Sequence, residues 1–408
     1  MRLAFHQFGN DFWAAGNWFI DGMFHALRCL GADCPALILV VDERTPAADY
    51  APLAAMADEM LRAPEPPPDA GLRLQESLRY HSLWWLRHRL LRQPAPRRPH
   101  PLAAVLAQQQ LEGYFTLARN PAPICSVPSL VWIPDMQHVR LPANFTPEER
   151  QVRSRDYQAQ LGWATFAVVT SDEVRRDLAA LAPSQAGKLR LIHYVADVPA
   201  DLYQEHPWTR LAAYHLPEKF IYLPNQFWQH KNHGLVFEAL ARLAERQVRP
   251  VIVSTGNTFD YRRPAYFAEL MQTLSRLNIR EQVIILGQVA RADVYHLIRQ
   301  SICVLNPSRF EGLGLSVAES ISIGKRVLVS DLPPLREQDA PGVVYFDPDQ
   351  AGDLADKLEQ AWTTLAPGPD ERLEEAARSA LPGRQTAFGR QLLGLFEEAR
   401  LEFSHQSQ

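Results

Sequence analysis

The chain has 408 residues, of which 47% are hydrophobic, 10% aromatic and 22% charged. That length points to two domains, and the apolar content excludes a disordered chain. The formal net charge of −4 excludes a global positive field that would hold nucleic acid.

The longest aliphatic run, Ala36–Val41, falls far short of the roughly 20 residues needed to span a bilayer. Met1 to Phe5 is followed at once by His6, Gln7 and Asn10, which does not read as a signal peptide. Cys29, Cys34, Cys125 and Cys303 are too few and too scattered for a disulfide framework or a zinc site. These features predict a cytoplasmic protein with reduced thiols.

Short apolar runs alternate with helical stretches along the chain, the pattern of a parallel sheet flanked by helices. In the first half, strands are expected at Leu3–Phe5, Ala36–Val41, Leu130–Ile133, Ala167–Thr170 and Leu189–His193. The pattern restarts at Phe220–Leu223 and continues through Pro250–Ser254, Gln282–Leu286, Ile302–Leu305, Arg326–Val329 and Val343–Phe346. Between these lie helical patterns such as Leu235–Arg246 and Asp353–Trp362. The fold class is therefore α/β, with two doubly wound parallel-sheet domains. The first takes residues 1–196 and the second 217–384, joined by a proline-bearing linker at 197–216. A last helix, 385–405, is expected after Pro382-Gly383 and is long enough to pack back on the first domain.

Ser77–Leu111 departs from this pattern. It holds six arginines and no Asp or Glu, interleaved with Trp84, Trp85 and several leucines. One reading is an irregular solvated insertion. The other is a basic–aromatic surface for an anionic lipid or lipid-linked substrate, with peripheral contact to an anionic membrane.

The chemistry concentrates in Asn306 to Ser320, directly after the Ile302–Leu305 strand. Gly312 and Gly314 permit a tight turn that opens a helix, and the exposed amides and dipole of a helix start suit an anion. Glu311 and Glu319 flank that turn, eight residues apart. Both could accept hydrogen bonds from hydroxyl groups on either side of a diphosphate. By itself, a Gly-x-Gly turn is an ordinary strand–helix loop.

Glu311 and Glu319 resemble the Glu-x7-Glu motif of retaining GT-B glycosyltransferases, and the surrounding residues resemble glycosyltransferase family 4, the glycosyl transferases group 1. The likeness extends through Ile321–Asp331, Leu335-Arg336-Glu337 and Phe346-Asp347-Pro348. Upstream it takes in Tyr222–Gln226 with Lys231-Asn232, and Val168–Leu178. It is strong over about 132–354 and thin before Leu130.

The resemblance implies a GT-B pair of Rossmann-like domains facing a central cleft. It implies transfer of a sugar from a nucleotide-diphosphate sugar to a glycan, lipid-linked or polysaccharide acceptor hydroxyl, with retention of configuration. It further implies no cofactor and no metal. Lys231 would meet the donor diphosphate, and Glu319 the ribose. Glu311 would face the donor sugar together with the backbone of Gly312, Leu313, Gly314 and Leu315. Gly16 and Asn17 fall where the family's first-domain glycine loop nears the phosphates, although Asn17 equally suits a helix cap. Gln226 stands in the slot of the usual arginine, with Arg309, Arg262 or Arg263 as candidates to compensate. In Trp132–His138, Pro134 replaces the family's first histidine, leaving Asp135 and His138 for the sugar or acceptor. Two other readings stay open: a catalytically silent GT-B scaffold, and a nucleotide-sugar epimerase or hydrolase.

Overall fold

The computed structural model describes residues 1–9, 15–64, 101–117 and 126–406. The arginine-rich part of Ser77–Leu111, residues 77–100, lies outside these, as does Cys125.

Thirteen strands are present among the described residues: β1 Arg2–His6, β2 Ala36–Asp42, β3 Glu59–Ala63, β4 Gly113–Leu117, β5 Ser129–Trp132, β6 Phe166–Val169, β7 Leu189–Leu191, β8 Ile221–Pro224, β9 Ile252–Thr255, β10 Val283–Gly287, β11 Val304–Asn306, β12 Val327–Ser330 and β13 Val343–Phe346. They form two sheets, ordered β3-β2-β1-β4-β5-β6-β7 and β10-β9-β8-β11-β12-β13. Neighbours are parallel throughout, from β1 on β2 to β12 on β13. Two Rossmann-like units result, and the expected eleven strands all fall within them, shifted by a residue or two.

Two strands were not expected. β3 lies at the sheet edge with four of its five residues at least partly exposed, so it lacks an apolar run. β4 is wholly buried, but Gly113-Tyr114-Phe115-Thr116-Leu117 directly follows the arginine-rich stretch and has no alternating pattern. Its position is central, between β1 and β5.

The last helix differs from expectation at its start. Glu371–Gln406 is one helix of 36 residues that runs through Pro382. Its second half packs on the first domain, with Phe396 edge-on to Phe5 at 5.7 Å and Phe388 edge-on to Tyr194 at 5.7 Å. Gly389 lets it approach the Ala15–Arg28 helix so closely that a Cβ there would sit 2.1 Å from the Ala26 carbonyl oxygen.

The segment expected as a linker is partly structured. It contains the short Pro207–Leu211 helix and seats Val198, Leu202 and Leu211 in the core. Arg210 and Tyr214 both bond Asp293 at 2.6 Å, fastening its end to the second domain.

Candidate active site

A cleft of about 330 Å³ opens between the two sheets. Its position follows from strand order. In an open parallel sheet, ligands bind beyond the carboxyl ends of the strands where the order reverses. In the second sheet that reversal lies between β8 and β11. The loops leaving those two strands, Asn225–Lys231 and Phe310–Gly314, supply much of the cleft wall. The facing wall comes from the first domain, through Ala15, Trp18 and Phe19 after β1 and Trp132–Gln137 after β5.

Lys231 and Glu311 meet across the two loops, with Nζ donating to Oε1 at 2.7 Å. The same carboxylate oxygen accepts from Ser308 Oγ at 2.6 Å and Asn306 Nδ2 at 3.2 Å. Three donors on one oxygen fix the carboxylate's orientation. Among the described residues lining the cleft, Lys231 is the only lysine or arginine.

The turn beside this pair is held closely. Gly314 has φ +83° and caps the Leu315–Ile323 helix, a backbone conformation that favours glycine. A Cβ at Gly312 would lie 1.9 Å from the carbonyl oxygen of Pro134 in the first domain. The two domains thus touch backbone to backbone at this turn. Gln338 Nε2 donates to the Leu313 carbonyl from behind. Leu315 and Ser316, in the first turn of the helix, line the cleft, and their amides have no partner within the helix.

Glu319 lies further along the same helix, 4% exposed in its side chain and paired with Arg291 at 3.2 Å. Burial pushes its carboxyl above the usual range, Arg291 opposes this, and Asp21 adds to it. Burial also acts against the Arg291 charge, but Glu319 and its other acidic neighbours outweigh that and keep it protonated. Arg291 lies 4.5 Å over the Trp18 ring and 3.9 Å from Asp21, so it reaches across to the first domain.

The structure brings together Lys231, Glu311, Gly312, Leu313, Gly314, Leu315, Glu319, Gln226 and Asp135 around one cleft. Asp135 carries its first-domain end, with Oδ1 accepting from the Gln137 amide at 3.0 Å. Three expected residues lie elsewhere. His138 is buried inside the first domain, bonded to Ser154 Oγ at 3.1 Å and edge-on to Tyr157. It follows Asp135 by three residues, and the short Gln137–Arg140 helix turns it away from the cleft. Burial, then Arg153, hold its pKa below the ordinary value.

Gly16 and Asn17 also do not line the cleft, although Ala15 and Trp18 on either side do. Asn17 acts as a tie: its Oδ1 accepts from the Gly9 amide and Gln7 Nε2 at 3.0 Å, and its Nδ2 donates to the Asp49 carbonyl at 2.6 Å. Nor does any of the three compensating arginines line the cleft. Arg309 pairs with Asp349 and Arg263 with Glu269, both in exposed positions. Arg262 is buried on Asp260 and donates to Gln137 Oε1 at 2.6 Å.

Sequence reasoning missed Arg291, Trp18, Ser308 and His230. His230 lines the cleft beside Lys231, and burial drives its imidazole well below its ordinary pKa, helped by Lys231, Arg262 and His233. Only Ser308 carried a signal, as part of the same short run as Glu311. One Asp-x-Asp spacing occurs, at Asp347 and Asp349, but neither lines the cleft; the Asp347 side chain accepts from the Asp349 amide at 2.9 Å.

Residues 213–380 match the glycosyl transferases group 1 family. No curated protein matches the chain. Among solved structures, the Anabaena protein HepE in complex with UDP and glucose aligns with a TM-score of 0.64 at 16% identity, covering 98% of this chain and 100% of its own. A glycosyltransferase from Rickettsia africae aligns at 0.66 and 15% identity, covering 98% of both chains. Sucrose-phosphate synthase from Thermosynechococcus elongatus aligns at 0.61 and 16%, covering 100% and 98%. The chain has the GT-B glycosyltransferase fold. Its second domain, which carries the family match, supplies Lys231, both glutamates and the glycine turn.

Proposed function

We propose that this chain transfers a sugar from a nucleotide-diphosphate sugar to an acceptor hydroxyl with retention of configuration and without a divalent metal. The observation that carries this reading is the Lys231–Glu311 pair beside the Gly312–Leu315 turn, at the strand reversal of the second sheet. The diphosphate would lie against the helix start and Lys231, and the ribose diol against Glu319. HepE, a structural neighbour, is described with UDP and glucose, which supports a nucleotide site of this kind.

In the reaction, the bond from the sugar's anomeric carbon to the diphosphate oxygen breaks, and negative charge grows on the leaving phosphate. Lys231 and the helix amides stabilise that charge. The acceptor oxygen bonds the anomeric carbon on the face that the phosphate leaves, and the acceptor's proton passes to the phosphate oxygen. No protein base is then required. Asp135, on the facing wall, orients the sugar or acceptor. Donor and acceptor come from opposite domains, so most of the protein's work is positioning.

UDP, GDP, dTDP and ADP should be screened for thermal stabilisation, since a bound nucleotide raises the unfolding midpoint by mass action. At least one of them should do so. Lys231→Ala should then lower kcat by roughly 10²-fold, about 3 kcal/mol, as for a lost oxyanion donor. A silent scaffold would show no nucleotide affinity, and a hydrolase would consume donor at full rate without acceptor.

A further inference from the structure

A second cavity, of about 770 Å³, lies behind the Gly312–Leu315 turn. Its walls come from three places: Thr170 and His193–Val195 of the first domain, Leu313 and Glu337–Pro341 of the second, and one face of the Glu371–Gln406 helix. We infer that this cavity binds a free organic monocarboxylate with an apolar body, its carboxylate meeting Arg384. Nothing in the reaction proposed above uses this space.

The helix presents Leu373, Ala377, Ala380, Arg384, Ala387 and Phe388 to it, all at helical spacing. The small side chains leave the room, and Phe388 with Leu373 makes the wall apolar. Arg384 is the exception. It is partly buried, and burial alone acts on its charge, with no carboxylate offsetting it among the described residues. A guanidinium partly withdrawn from water without a counter-charge is unfavourable, and an anion would relieve it.

The other charged groups of the cavity are already engaged. Lys325 Nζ donates to the carbonyls of Arg299 at 3.0 Å and Gly368 at 2.8 Å. Glu337 accepts from the Asp172 amide at 2.9 and 3.0 Å, and Asp339 from the Tyr345 hydroxyl at 2.9 Å. Those two carboxylates repel any anion, and a dianion about twice as strongly as a monoanion, which favours a single negative charge over a phosphate. Apolar walls with one charged group that fixes orientation are the ordinary make-up of a small-molecule site.

Calorimetry of the full chain with octanoate tests this, with octanol and octylammonium as the neutral and cationic counterparts. Octanoate should bind saturably at one site, at least tenfold more tightly than either counterpart. Arg384→Met should weaken it tenfold or more, and Ala380→Phe, which places a ring one helical turn from Arg384, should weaken it as well. Asn257→Trp, which narrows the donor cleft instead, should leave octanoate binding in place. Equal affinity for octanol or octylammonium would overturn the assignment. So would octanoate binding that neither Arg384→Met nor Ala380→Phe weakens, or that is lost in Asn257→Trp. Thermal melts of each variant establish that it is folded.

Discussion

Glu311 and Glu319 look alike in the sequence but sit in different surroundings, and they should fail differently. Glu319 is buried against Arg291, and its contacts to a ribose would be the same before and during bond cleavage. Glu319→Gln should therefore raise donor KM with little change in kcat. Glu311 is bonded to Lys231, where the proposed reaction develops charge, so Glu311→Gln should lower kcat instead. Steady-state kinetics of the two variants, with folding checked by circular dichroism, reads this difference directly. Arg291 should keep its partner Asp21 when Glu319 is neutralised, which limits the structural cost.

The buried histidines of the same loop make a pH prediction. Burial, then Lys231, pushes His233 down to about 3, and His230 is also held well below its ordinary value. In the unfolded chain both take up a proton near pH 6.5. Between that pH and about 3 the unfolded state binds more protons, so stability is present above pH 6.5 and is lost as pH falls. His233 gives a slope of about 1.4 kcal/mol per pH unit near pH 5, and His230 acts in the same direction. His233→Phe keeps a ring on Phe227, which stacks at 4.3 Å, and should lower the slope by about 1.4 kcal/mol per pH unit. Urea unfolding between pH 4 and 7 measures it.

At the scale of elements, the Glu371–Gln406 helix supplies part of the first domain's core. Phe396 is fully buried against Phe5, and a Cβ at Gly113 would collide with its ring. Phe396→Ala should destabilise the first domain by about 3–5 kcal/mol, from lost burial plus the cavity left behind. A urea titration followed by near-ultraviolet circular dichroism should show that loss. The sequence predicts a start at 385, after Pro382-Gly383, because proline removes a backbone hydrogen bond within a helix. Packing of the residues on both sides overrides that local cost. β4 shows the converse, a central strand that its own residues did not announce but that β1 and β5 hold from either side.

For the whole molecule, the relation between the domains is set at a few points. Gly312 abuts Pro134, Thr170 Oγ1 donates to the Gly312 carbonyl at 3.4 Å, and Glu337 accepts from the first amide of the Asp172–Leu181 helix. Gly312→Ala places a methyl where the Pro134 oxygen now lies, so the domains must move apart. Nucleotide binding, which the proposed reaction places in the second domain, should persist within a few-fold. Transfer should fall at least tenfold, because acceptor and donor no longer align. Isothermal titration and a transfer assay on the same variant separate the two effects.

Local signals determined much of this protein. Apolar runs and helical periods located eleven strands and the α/β class, because burial on both faces of a parallel sheet leaves a continuous apolar run. One short stretch, Asn306–Ser320, carried the glycine turn and both glutamates, since a strand end, a turn and a helix start are contiguous in the chain. Tertiary structure decided what contiguity could not. Arg291 meets Glu319 from another helix, and Trp18 comes from the other domain. His138 and Asn17 have residue types suited to a site, yet they face inward. A side chain's direction depends on the turn that carries it and on what packs against it, and those neighbours lie far away in sequence.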